Sequence, residues 1–359
     1  MKKFLRLAIL GSILASGSAT FAVWRLVNHP LQMVYLPAIP GLAKSIAFPN
    51  IGFTTENIQF GESLINFNIN NYLTANLLFA LTDNFSMNFP ETEVSQIGEI
   101  TKFTQIVEYA KNQKLSDRSM SEIIQAIAEQ FLGTKYKANL LDRSSKEKLV
   151  VSFEQLDCVL FVETVLAIAR GVAVEDYSYQ TFVKNLQNQR YRNGELQGYC
   201  SRLHYFSDWI LDNQNRGTVE NISLNLGGIS QDKTLNFMSK NRSRYPLMVN
   251  NDANYQCIVD MESKLAGVTV NYIPTHRISR VYSQLQPGDI IAVATNISGL
   301  DFTHTGLVYR HQNGRVGLIH ASPAGTVTTA RDLQRYVRNV KNSMGIVVVR
   351  AIDPRHLQH

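Results

Sequence analysis

The chain has 359 residues, 45% apolar and 18% charged, which suits one or two domains with a proper core and excludes a disordered chain. The formal charge is +6, but Lys2, Lys3 and Arg6 stand in an acid-free N-terminal stretch, and without them the excess over the 29 acidic residues is three. So small and scattered an excess excludes a nucleic-acid binder, ten Pro and 21 Gly without a period exclude a collagen-like chain, and the lack of a 20–50-residue repeat excludes a solenoid or propeller.

Residues 1–22 read as an export leader: a basic start, an apolar run from Leu7 to Ala15, and small residues that allow cleavage after Ala19 or Ala22. The alternative is a retained anchor, because apolar character continues to Trp24, close to the ~20 residues a spanning helix needs. No Cys stands near the leader and no later run reaches membrane length. The protein is expected to be periplasmic or secreted, tethered to the inner membrane only if the leader is kept. Its three cysteines, Cys158, Cys200 and Cys257, cannot all pair within one chain, so an oxidising compartment leaves at least one thiol over.

Residues 23–100 read as an N-terminal extension or small subdomain, punctuated by proline, with the alternation of Ile65 to Ile69 suiting short half-buried strands. Residues 101–359 form the main domain. Apolar spacing predicts a helix over 119–132, ended by Gly133. A second helix follows Asp157, an N-cap residue type, and stays apolar nearly all round to Arg170, so it is buried on most sides. Helices are also expected over 178–187 and 204–212, and a loop-rich stretch over 214–285. Strands are expected at 289–294, 304–310, 316–321 and 345–349, the middle two joined across Asn313-Gly314, with a short helix at 331–338. A helix followed by an antiparallel sheet is an α+β arrangement.

Cys158 falls on the first turn of the buried helix, where unpaired N–H groups and the helix dipole are expected to depress a thiol pKa. The same N–H groups can serve as an oxyanion hole. The plain alternative is a small buried core residue. A thiolate nucleophile wants a histidine as base and a polar group to orient it. Of eight histidines, His304 and His320 lie on the two hairpin strands, and Gly306 beside His304 marks a close approach. A two-residue turn at Asn313-Gly314 would put these histidines on opposite faces. A three-residue loop, Gln312 to Gly314, puts His320 opposite Gly306 and on the face of His304; that loop is predicted, with Gly314 in the left-handed region. A zinc site from Cys158, His304 and His320 lacks any short ligand spacing, and no cofactor is expected. Glu163 reads as a helix-face or a buried hydrogen-bonding residue, and Cys200 and Cys257 are free to pair.

Phe131-Leu132-Gly133-Thr134-Lys135-Tyr136, Asp157-Cys158, Pro287-Gly288-Asp289, the stretch His304 to Tyr309, and His320-Ala321-Ser322 together resemble, in order, the motifs of the NlpC-type cell-wall peptidases, a papain-like cysteine family. Val162-Glu163 and Arg202-Leu203-His204-Tyr205 resemble its N-acetylmuramoyl-L-alanine amidase-like branch. The resemblance covers about 120–345. It implies a papain-like core, with the Cys helix packed on the antiparallel sheet, and a catalytic set of Cys158, His304 and His320. Tyr136 and Asp157 would line the site, and His204 and Tyr205 would wall the substrate cleft. It also implies peptidoglycan or a muropeptide as partner, cleaved at the muramoyl–L-alanine or the D-glutamyl–diamino acid bond. The sequence departs from the pattern where Lys137-Ala138-Asn139 replaces Trp-Gly-Gly and Val159-Leu160 replaces a small Ser-Gly pair. Those departures keep two alternatives open: an inactive wall-binding module, and an acyltransferase using the same thioester.

Overall fold

The computed structural model describes the backbone of residues 8–15, 18–25, 32–36, 92–94 and 96–357, and side chains over 99–356. The chain divides into two compact units, residues 1–68 and 69–359. In the first, β1 (Ala8–Ala15), β2 (Ser18–Arg25) and β3 (Gln32–Leu36) form an antiparallel meander with Trp24 opposite both Ala8 and Met33. Its first two strands run through the stretch read as a leader. The alternating segment 65–69 lies outside the described residues. No described helix is long and apolar enough to cross a membrane.

The second unit begins with β4 (Thr92–Val94) and α1 (Gln96–Asn112). Next comes α2 (Met120–Glu129), started by a reciprocal capping box between Ser119 and Glu122 and ended in a turn to Gly133. Short strands β5 (Lys135–Tyr136), β6 (Leu149–Val151) and β7 (Gln155–Leu156) lead into α3 (Cys158–Ala173), whose residues are buried almost throughout. The one acid inside it, Glu163, is buried but matched: its carboxylate accepts from Arg190 Nε at 2.7 Å and Trp209 Nε1 at 3.2 Å. This is the hydrogen-bonded burial expected of it, and a buried charge is tolerated on those terms. Arg190 ends α4 (Tyr179–Arg190), and Trp209 belongs to α5 (Phe206–Asn215).

The stretch expected to be loop-rich is more ordered than that. It holds β8 (Val219–Asn221), β9 (Ile229–Lys233), α6 (Phe237–Lys240), α7 (Pro246–Val249), α8 (Asp252–Lys264) and β10 (Val268–Pro274). Its helices gather around a satellite core that includes Tyr205, Met238, Met248 and Ile258, closed by a disulfide between Cys200 and Cys257. The chain ends with β11 (Ile290–Thr295), β12 (Phe302–Arg310), β13 (Val316–Ala321), β14 (Val327–Ala330), α9 (Leu333–Asn339) and β15 (Ser343–Ala351).

The main sheet is antiparallel, in the order β14-β13-β12-β11-β15-β10-β9, with β8 on β15. The helix α3 packs on β12 and β13. Ile290, Ala292 and Val347 join the helical core, while Ile291, Val293 and Val348 join a second core with Leu333 and Val337 of α9. The central strands are therefore covered on both faces, which explains the unbroken apolar run of Gly345 to Val349. The Pro287-Gly288-Asp289 turn is locked twice. Gly288 has φ +79, and a Cβ there would stand 2.7 Å from Ile124 of α2. Asp289 holds Arg350 through two bonds of 2.8 Å.

Candidate active site

The strand β7 delivers the chain to Asp157, which caps α3 by accepting from the amides of Val159 at 3.0 Å and Leu160 at 2.8 Å. The next residue is Cys158, a partly exposed free thiol. Parallel pairing of β5 with β7 sets Tyr136 opposite Leu156, and so beside Asp157 and Cys158. Pairing of β12 with β13 ends at Leu307 opposite Ile319. Just past that rung lies Thr305, whose backbone amide is near enough to favour the charged form of Cys158.

The β12–β13 hairpin has the three-residue loop. His311 donates to Arg315 O at 2.9 Å, Gly314 N–H to His311 O at 2.8 Å, and Gly314 has φ +79. His304 and His320 accordingly share a face, with 2.8 Å between His304 Nε2 and His320 Nδ1 and the rings perpendicular at 89°. A Cβ on Gly306 would lie 2.9 Å from the His320 Cβ, so the small residue is what lets His320 reach its neighbour. Tyr336 of α9 adds a third ring, 4.6 Å from that of His320, with its hydroxyl 3.4 Å from His320 Nδ1. Nothing in the sequence singled it out. A lone Tyr on a short helix carries no motif, and only the buried pair Leu333 and Val337 fixes which way that helix faces.

The electrostatics overturn one expectation. Burial pushes the Cys158 thiol up to about 12, the Asp157 charge adds to the push, and the amides of Thr305, Cys158 and Val159 only partly oppose it. Burial outweighs the helix start, and the carboxylate that caps the helix adds to it, so this thiol is raised and not depressed. Asp157 is itself raised to about 6 by burial. Burial lowers His304 to about 3, helped by His320, and lowers His320 to about 4. Burial and the Cys158 charge raise Tyr136, and raise Tyr336 to about 12. At neutral pH the site rests as a thiol, two neutral imidazoles and two phenols.

Two residues expected on the cleft wall are engaged elsewhere. Tyr205 is buried in the satellite core, donating to Glu262 at 2.7 Å and accepting from the Met238 amide at 3.0 Å. His204 packs on the Tyr199 ring at 4.4 Å, with Nε2 2.8 Å from the Tyr199 carbonyl. Both hold the insertion together. Asp157 likewise serves as a helix cap. Among the described residues, no three His, Cys, Asp or Glu side chains gather to hold a metal ion.

A model of the family described as "AmiA-like: N-acetylmuramoyl-L-alanine amidase-like" matches residues 126–346. Among solved structures, an N-acetylmuramoyl-L-alanine amidase from Bacteroides uniformis is 29% identical with a TM-score of 0.62, covering 65% of this chain and 99% of that one. A Bacteroides fragilis protein provisionally assigned as a xylanase is 33% identical, with a TM-score of 0.55 and coverage of 62% and 98%. A Legionella pneumophila protein, 23% identical with a TM-score of 0.55 and coverage of 71% and 95%, shares the fold. No curated protein matches the chain.

Proposed function

The chain belongs to the N-acetylmuramoyl-L-alanine amidase-like family, and on that premise we propose that it is an exported cysteine amidase that cleaves the muramoyl–L-alanine bond of peptidoglycan on a papain-like core. The observation that carries the reading is a free thiol at a helix start that feels the amide of Thr305, next to His304, and acts on Tyr336, which stands against His320 of the His304–His320 pair. His304 donates from Nε2 to His320 Nδ1, which leaves His304 Nδ1 as the basic nitrogen. Cys158 passes its proton to that nitrogen as the sulfur bonds to the substrate carbonyl. The Cys158 N–H and the Tyr136 hydroxyl donate to the oxyanion. As the tetrahedral adduct collapses, the C–N bond breaks and the alanine nitrogen takes the proton from His304. Water, deprotonated by His304, then releases the muramoyl acid and frees the thiol. The role of His320 is to fix the tautomer and tilt of His304.

Export is supported by the leader pattern and by the Cys200–Cys257 disulfide, a bond that persists in oxidising compartments. A glycosidase such as a xylanase needs two carboxyls flanking the bond. The acid beside Cys158, Asp157, is spent on capping α3, so that reading finds no support. The raised thiol favours one competing reading, an inactive wall-binding domain on the same fold. Digestion of purified muropeptides decides between them. Cys158→Ala and His304→Ala should each lower kcat by about four orders of magnitude, and a wild-type protein that binds the wall without cutting it would establish the second reading.

A further inference from the structure

A depression of about 590 Å3 is bordered by Tyr336 and lined among others by Arg315, Arg331, Asp332, Arg335 and Asn339. Three elements build it. The β12–β13 loop supplies Arg315, the end of β14 leads into Arg331, and α9 supplies Arg335, Tyr336 and Asn339. Burial of Leu333 and Val337 in the second core fixes α9 and leaves Arg335 and Asn339 facing solvent.

The three arginines are exposed, and none of the ion pairs among the described residues engages them. Elsewhere this chain spends its arginines on acids, as with Arg190 on Glu163, Arg202 on Asp142, Arg216 on Asp212 and Arg350 on Asp289. The one acid in the depression, Asp332, caps α9 by accepting from Arg335 N–H at 2.7 Å and also takes the Tyr282 hydroxyl. Three guanidinium groups thus share a concave surface with one carboxylate that is already hydrogen-bonded. Guanidinium forks match planar carboxylates in two parallel bonds. The wall nearest the site is Tyr336, whose hydroxyl lies 3.4 Å from His320 Nδ1. An occupant of the depression is therefore one ring away from the proposed catalytic set.

We infer that the depression is a carboxylate subsite that holds a free carboxylate of the stem peptide while the amide to be cut lies at Cys158. The inference rests on the amidase reading for the identity of the peptide. Carboxylate recognition by the arginines would make the protein prefer stems whose D-glutamate α-carboxylate is free over stems in which it is amidated.

The test measures binding by calorimetry to the full chain carrying Cys158→Ala, so that the ligand is not consumed. The probes are N-acetylmuramoyl-L-alanyl-D-glutamate and the same molecule amidated at the α-carboxylate. The free acid should bind about tenfold more tightly, and Arg331→Gln combined with Arg335→Gln should abolish that preference. Both arginines are exposed, so the variants keep the core, and unchanged melting would verify it. In protein retaining Cys158, the same pair of changes should raise KM for the free acid and leave kcat near its original value. Equal affinity for the two probes, a preference that survives the double change, or no binding of either would overturn the subsite. Hydrolysis that persists undiminished in Cys158→Ala would instead overturn the cysteine mechanism, whatever the two affinities show.

Discussion

Asp157 accepts from the amides of Val159 and Leu160, so a thiolate at this helix start shares the first of these donors and loses the second. Its carboxylate also stands beside the sulfur, and together with burial this keeps Cys158 protonated. The histidines are displaced the other way: burial holds both neutral to well below the usual 6.5. A depressed imidazole stays a base as the pH falls through 6.5, so kcat/KM should show no acid limb with an apparent pKa near that value. A raised thiol reacts on its own only in alkali, so iodoacetamide labelling of Cys158 should be slow at pH 7 and climb towards pH 10. Labelling that reaches its plateau below pH 7 would show a standing thiolate–imidazolium pair and contradict this account. The sequence made the pairing of His304 with His320 legible through loop length alone. The direction of the thiol shift was not legible, because it depends on how deeply the sulfur sits and on which amides the cap consumes.

Element by element, legibility followed periodicity. The helix from Cys158, the hairpin strands and the Gly345–Val349 strand have strong apolar patterns, and each ends within three residues of where it is expected. The stretch 214–285 hid two strands that pair with each other and the thirteen-residue α8. The residues of β9 are exposed or half-buried, and α8 buries only Ile258, Met261 and Glu262, so neither shows a clear apolar face. What holds this insertion is the small core around Tyr205 and the disulfide, which closes a separation of 57 residues. A bridge of that span contributes about 4 kcal/mol in the chain-entropy account. Replacing both Cys200 and Cys257 by Ser should therefore lower urea stability by about that amount and leave Cys158 labelling as it was. Unchanged stability would mean that the insertion is held by its core alone.

At the scale of the molecule, a sheet covered on both faces fixes the two sides of the site against each other. The helical core under one face carries α3 and Cys158; the second core under the other carries α9 and Tyr336; the sheet between them presents His304 and His320. The fold sets Tyr136 beside Cys158 and Tyr336 beside the His304–His320 pair, which is why Tyr336 escaped a reading along the sequence. Tyr205, and Tyr199 on which His204 packs, belong to the insertion's own core. The central claim is that Cys158 carries the acyl group during turnover. The direct measurement is mass spectrometry of protein mixed with muropeptide, quenched in acid within the first turnovers, and digested. A thioester adduct is expected on the peptide containing Cys158, with the mass of the muramoyl side of the substrate. Turnover without any adduct on Cys158, undiminished in Cys158→Ala, would contradict it.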